Sequence, residues 1–155
     1  MLNQQTTHPA GPNARLSYDP VGLARVCREL GLAMLVAYGS RAGGAREPVP
    51  DSDLDLAILG RGFHGWKSLS ACLKGLGNVL GHYSLDVVFL SEADPLFRWE
   101  IMREGLLLYG DPVDFLEYRA FAHKDFVDSA DLRRVEQALF RKRMNWIGEQ
   151  LRAAS

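Results

Sequence analysis

Asp53 and Asp55 stand two residues apart in the run SDLDLAI, and a third aspartate, Asp86, interrupts the apolar run SLDVVFL. On a strand, residues two apart leave the same face. Carboxylates aimed together repel one another, and burying them costs free energy, unless a cation lies between them. If the strands that carry them are near neighbours, Asp86 joins the other two on one polar face. Hard oxygen donors of this kind suit Mg²⁺, which keeps waters and is bound through a few carboxylates plus substrate phosphates. Two such ions can hold an incoming nucleotide, activate an attacking hydroxyl and stabilise a departing pyrophosphate. Upstream, Gly39-Ser40 follows the apolar run AMLVAY. A glycine there permits close backbone approach, the serine hydroxyl and following N–H groups can donate to phosphate oxygens, and Arg41 adds a cation. An Asp-x-Asp pair also occurs on solvated strand edges, and a Gly-Ser turn is commonplace, so the weight rests on the set.

The elements that must position these residues follow from apolar spacing. Residues 1–18 are polar, with Pro9, Gly11, Pro12 and Asn13, and read as an extended arm ahead of a single domain over 19–155. Asp19-Pro20 opens a helix that Gly31 closes, and residues 33–38 form a buried strand. Residues 41–52 are loop-like. Leu54, Leu56 and Ile58 alternate with Asp53, Asp55 and Ala57, which predicts a strand with one apolar and one acidic face, ended by Gly60 and Gly62. Trp66, Leu69, Leu73, Leu76 and Leu80 predict an amphipathic helix. A third strand over 84–90, a helix from Ser91 as its cap to Gly105, and a short fourth strand over 106–110 follow. Residues 111–152 read as two helical segments meeting near Asp128–Asp131. The last has two apolar stripes, Leu132, Val135, Leu139 and Trp146 beside Phe140, Met144, Ile147 and Leu151. One stripe is expected to dock on the sheet, leaving the other as a candidate partner surface.

The 155 residues suffice for one domain with a core, and 47% hydrophobic with 24% charged residues is ordinary globular composition. A net charge of -1 gives no sign of a globally basic nucleic-acid binder, so nucleic acid is disfavoured as the direct substrate. From Arg119 onward, however, eight Lys/Arg face five acids. Cys27 and Cys72 lack metal or disulfide spacing and read as core residues, which fits a reducing, cytoplasmic setting. No run approaches the ~20 apolar residues of a membrane-spanning helix. His64, His82 and His123 read as surface, cap or packing residues, because Mg²⁺ does not prefer imidazole. Tyr38, just before the Gly-Ser turn, reads as core.

Two competing motifs fail. GSRAGGAR lacks the Lys-Ser/Thr of a P-loop. Asp51, Asp53 and Asp55 mimic the start of an EF-hand loop, but Leu56 and Gly62 stand where its Gly and Glu are needed. The combination of GS, DSDLDLAI and the acid in SLDVVFL instead resembles the DNA polymerase β-type nucleotidyltransferase superfamily, and within it the minimal nucleotidyltransferase (MNT) proteins. The motif region spans Val36 to Leu90, and the downstream EADPLFRWEIMREGLLLYGDPVDFLEYRAFAHKDFVDSADLRR extends the likeness over most of the chain.

That resemblance implies an α+β fold, a small mixed β-sheet flanked by helices with a helical C-terminal segment. It implies that Gly39, Ser40 and Arg41 bind the nucleotide, that Asp53 and Asp55 bind both metals, and that Asp86 holds the catalytic metal and helps deprotonate the acceptor. The implied cofactor is Mg²⁺, with ATP as nucleotide substrate. Family members of this size are often antitoxins that transfer AMP to a tyrosine of a HEPN-domain toxin, and a homo-oligomer is compatible with the sequence. Two other readings share these residues: a non-catalytic module that occludes the toxin, and an aminoglycoside-type small-molecule transferase. The chain departs from the family pattern in two places. Twelve residues separate Ser40 from Asp53 where ten are common, and Gly43 stands where the family often has a second arginine.

Overall fold

The computed structural model describes residues 16–42, 53–60, 65–81 and 83–153. Residues 1–15 of the predicted arm over 1–18, Gly43 and the rest of the loop to residue 52, Gly62, His64, His82 and the Trp66 side chain lie outside the described residues. In chain order the elements are α1 (Pro20–Glu29), β1 (Leu32–Tyr38), a 3-10 turn (Gly39–Arg41), β2 (Leu54–Gly60), α2 (Gly65–Val79) and β3 (Leu85–Phe89). Then come α3 (Pro95–Glu104), β4 (Leu106–Tyr109), α4 (Pro112–Asp128) and α5 (Ala130–Ala153). Among the described residues, no helix is long and apolar enough to cross a membrane.

Three helices start the same way. Asp19, Asp94 and Asp111 are each followed by a proline at the first helical position, and each carboxylate accepts from two N–H groups of the first turn. The aspartate satisfies donors that the helix leaves unpaired, while proline gives up one that would be unpaired anyway. Sequence spacing assigned the α3 cap to Ser91. The cap is Asp94, whose backbone is extended (ψ 158) and whose Oδ1 accepts from Leu96 and Phe97 N–H, both at 3.0 Å. A residue before proline is pushed away from helical geometry, so the helix starts at the proline.

The four strands form one mixed sheet in the order β3-β2-β1-β4. β1 runs antiparallel to both β2 and β4, and β2 runs parallel to β3. Helices cover both faces. On one, α1 and α2 bury Leu23, Cys27, Cys72, Leu76 and Leu80 against Leu35, Leu54, Leu56 and Ile58. Residues 16–18 join this layer: Leu16 and Tyr18 pack against it, and Ser17 N–H donates to the Tyr83 hydroxyl. On the other face, α3 and α4 bury Ile101, Met102 and Ala122 against Met34, Val36 and Ala57. Arg98 ties this layer together, donating to Asp125 at 2.6 Å and to the carbonyls of Leu90 and Ala93.

Two expectations change. The second face of β2 is acidic only at its start; farther along, Ala57 is fully buried beneath α3 and α4. Neither stripe of α5 docks on the sheet. Leu132, Val135, Leu139, Phe140, Met144, Trp146 and Leu151 are each at least half exposed. Both faces of the sheet are already covered, one by α1 and α2 and the other by α3 and α4.

Candidate nucleotide site at the sheet end

Strand register brings the acids together. Asp55 is the cross-strand partner of Tyr38 on β1 and of Asp86 on β3, so these three residues form one row across three adjacent strands. Neighbouring strands lie about 5 Å apart. Two residues farther along each chain into the sheet, Val36, Ala57 and Val88 belong to the α3/α4 layer. By the two-residue period of a strand, Tyr38, Asp55 and Asp86 face the same side, and Asp53 follows them just ahead of β2. Asp53 and Asp86 are exposed and Asp55 is half-buried. All fully buried residues among those described are non-polar, so the carboxylates sit at the open mouth of the sheet rather than in its core.

The Gly39 turn closes on this row. Gly39 has φ +72, a left-handed conformation that side chains with a Cβ rarely adopt, and a Cβ there would run into the Asp55 carboxylate. The glycine thus sets both the sharp exit from β1 and the closeness of the backbone to Asp55. The turn is closed by Ala42 N–H donating to Gly39 O at 3.2 Å, and Ala42 is buried. Ser40 and Arg41 are half-buried, and the Arg41 guanidinium lies 5.1 Å over the Tyr83 ring.

The electrostatics follow from this placement. Partial burial, then the charges of Asp86 and Asp53, raise the Asp55 carboxyl above its usual range. Burial, followed by the charges of Asp55 and Asp86, pushes the Tyr38 hydroxyl up to about 12. Tyr38 therefore stays protonated at neutral pH and remains a donor beside the carboxylates. Its ring meets Phe97 of α3 edge to face at 5.8 Å, so α3 forms the floor below the row. Tyr38 packs on the α3/α4 layer, as the core reading expects, and its place directly before Gly39-Ser40 also sets it in the row with the acids. Among the described residues, no three His, Cys, Asp or Glu side chains are gathered into a ready-made metal cage. His123 is exposed and packs on Trp99 of α3 at 4.7 Å, and Cys27 and Cys72 are buried, as their spacing implied.

A comparison with family models matches residues 23–114 to "Polymerase beta, Nucleotidyltransferase", a span that contains the Gly39 turn and all three aspartates. No curated protein matches the chain. Among solved structures, a chain of a toxin–antitoxin complex with AMP-PNP is 18% identical, with a TM-score of 0.63 over 81% of this chain and 98% of that one. A chain of the MntA–HepT toxin–antitoxin complex gives 16% identity and a TM-score of 0.58 over 81% and 96%. A chain of a Shewanella oneidensis complex between a tri-AMPylated HEPN toxin and an MNT antitoxin gives 16% and 0.58 over 81% and 95%. At these identities the likeness is one of fold. The family match covers more than half of the chain and includes the sheet end built above, and the protein belongs to the polymerase beta nucleotidyltransferase family.

Proposed function

We propose that this chain is a Mg²⁺-dependent adenylyltransferase that moves AMP from ATP onto a tyrosine of a HEPN-domain toxin, and so acts as its antitoxin. The observation that carries this reading is the row of Asp55 and Asp86 beside the Gly39 turn, in a chain of this family. The fold likeness to chains solved with AMP-PNP and with a tri-AMPylated HEPN toxin supports the donor and the acceptor.

The residues fit a divalent cation. The Asp55 carboxyl is raised by partial burial and then by the charges of Asp86 and Asp53, and a bound cation would offset both. An open arrangement also suits Mg²⁺, which completes its shell with water and substrate phosphate oxygens. Asp53, Asp55 and Asp86 would hold the metal, which when bound neutralises phosphate charge and favours ionisation of the acceptor hydroxyl. Gly39 and Ser40 would cradle the phosphates through backbone N–H groups and the serine hydroxyl, with Arg41 as a nearby cation. The acceptor oxygen then bonds to the α-phosphorus as the α–β bridging P–O bond breaks. Pyrophosphate leaves with the electron pair, and the hydroxyl proton passes to Asp86. The added phosphate charge and bulk on the tyrosine would block the toxin by repelling an anionic substrate there.

Mixing the chain with ATP, Mg²⁺ and the toxin adds the mass of one or more AMP groups to the toxin, and Asp86→Ala removes that addition. If the toxin gains no mass while a triple alanine variant of Asp53, Asp55 and Asp86 still neutralises it on co-expression, occlusion replaces catalysis.

A further inference from the structure

α5 carries an apolar face that the chain itself leaves to water. Seven large apolar side chains on this one helix, from Leu132 to Leu151, are each at least 50% exposed. Contiguous apolar patches of that kind mark interaction sites. The order of residues along the helix says what covers it. Glu136 and Arg143 stand seven apart, so they share one line of the helix, and that line runs between the two apolar stripes. About a point between Leu139 and Phe140 the pattern is its own complement when reversed. An antiparallel copy centred there sets Leu139 opposite Phe140, Val135 opposite Met144, Leu132 opposite Ile147, and Glu136 opposite Arg143. The two-fold lays each stripe alongside its own copy, apolar side chains of the two stripes alternate at equal levels across the seam, and the charges between them meet opposite charges.

We infer that α5 pairs with the α5 of a second copy of this chain, antiparallel and about a two-fold axis near Leu139 and Phe140. A two-fold contact requires a surface complementary to itself, which is the property this pattern has. The helix carries six basic and three acidic residues, a balance that by itself opposes self-association. Arg134, Arg141 and Arg152, however, fall on the side opposite the Glu136–Arg143 line at 3.6 residues per turn, and stay in water in the pair. At 24 residues α5 is ~36 Å long, enough for the full set of pairs to form. The helix ends also have a place to go. A groove of about 270 Å³ lies between the starts of α3 and α5, lined by Pro95, Leu96, Leu132 and Arg133. Ile147 of the second copy arrives at the level of Leu132, beside that groove.

Light scattering or sedimentation of the purified full chain reads this directly. The expected mass at tens of micromolar is twice 17.3 kDa. E136R sets Arg against Arg, R143E sets Glu against Glu, and each shifts the chain to monomer, whereas the double variant E136R/R143E restores the dimer. Leu139→Cys, oxidised gently, yields a disulfide-linked dimer. All three positions are exposed, so an unchanged circular dichroism spectrum verifies the fold in each variant. A wild-type monomer overturns the inference, including one that α5 substitutions prevent from binding a toxin, which assigns the face to that partner instead. A dimer indifferent to both single reversals overturns it as well.

Discussion

The mouth of the sheet and the C-terminal helix break the usual distribution of side chains in opposite directions. At the mouth, strands that are wholly apolar a few residues inward end in Tyr38, Asp55 and Asp86, and the carboxylates are held near one another at a cost. Along α5, apolar side chains stand in water although polar ones would cost nothing there. A folded chain tolerates such departures where something else completes them. The difference lies in what supports each region. Tyr38 and Asp55 are fixed by two-sided burial of the same strands, so their geometry precedes any ligand. Among the described residues, α5 is held mainly at its junction with α4, where Ser129 donates to the Asp125 carbonyl and Arg133 lies over the Phe126 ring.

Substitutions separate the two regions. The largest effect is expected from Asp86→Asn, which keeps the shape of an exposed side chain. Transfer should fall by more than the ~10–100-fold typical of losing a group that merely supports a metal ligand. Thermal unfolding should scarcely move, and a large loss of stability instead would recast Asp86 as structural. Next comes Gly39→Ala, where left-handed strain and the Asp55 carboxylate act together. Chemical denaturation should show a loss of about 1–3 kcal/mol, and wild-type stability in that variant would contradict the turn geometry.

Asp55 gives a pH signature. Its folded-state carboxyl is raised, so its contribution is fully present below its usual value near 3.8 and is lost as pH rises through the raised value. Asp55→Asn should therefore melt higher than wild type at pH 7, with the gain shrinking as pH falls toward 3.8. Adding Mg²⁺ should narrow the same gap at pH 7 by stabilising the wild type alone. The smallest effect belongs to α5. Leu139→Ser should change unfolding of the monomeric chain by no more than ~0.5 kcal/mol, as for other surface positions. By contrast, Leu56→Ala in the sheet should cost about 2–5 kcal/mol. A costly Leu139→Ser would mean that α5 packs against its own domain.

The sheet end was legible because its residues obey short-range rules. A two-residue period, a glycine after an apolar run and an aspartate amid Val and Leu are visible in sequence, and they located the Gly39 turn and all three acids before their strands were known to be adjacent. What spacing could not supply was which residues face one another across strands. Tyr38 does pack on the core as read, and only register shows that it also stands beside Asp55. The α3 cap was misplaced because Ser91 and Asp94 are both good caps, and only the proline after Asp94 decides between them. The stripes of α5 were visible but not their fate, since helical periodicity reports that a face is apolar and not whether the same chain covers it. The loop between Arg41 and Asp53, with its added length and Gly43, was singled out from sequence and lies mostly outside the described residues.

The central claim is adenylyl transfer, and the position of the radiolabel tests it most directly. The chain is incubated with Mg²⁺ and the toxin, in parallel with ATP labelled at the α-phosphate and at the γ-phosphate. The account predicts label on the toxin from α-labelled ATP alone, with labelled pyrophosphate released from the γ-labelled sample, and neither product from the Asp86→Asn variant. Label on the toxin from γ-labelled ATP, or α-label transferred equally by the Asp86→Asn variant, would contradict it.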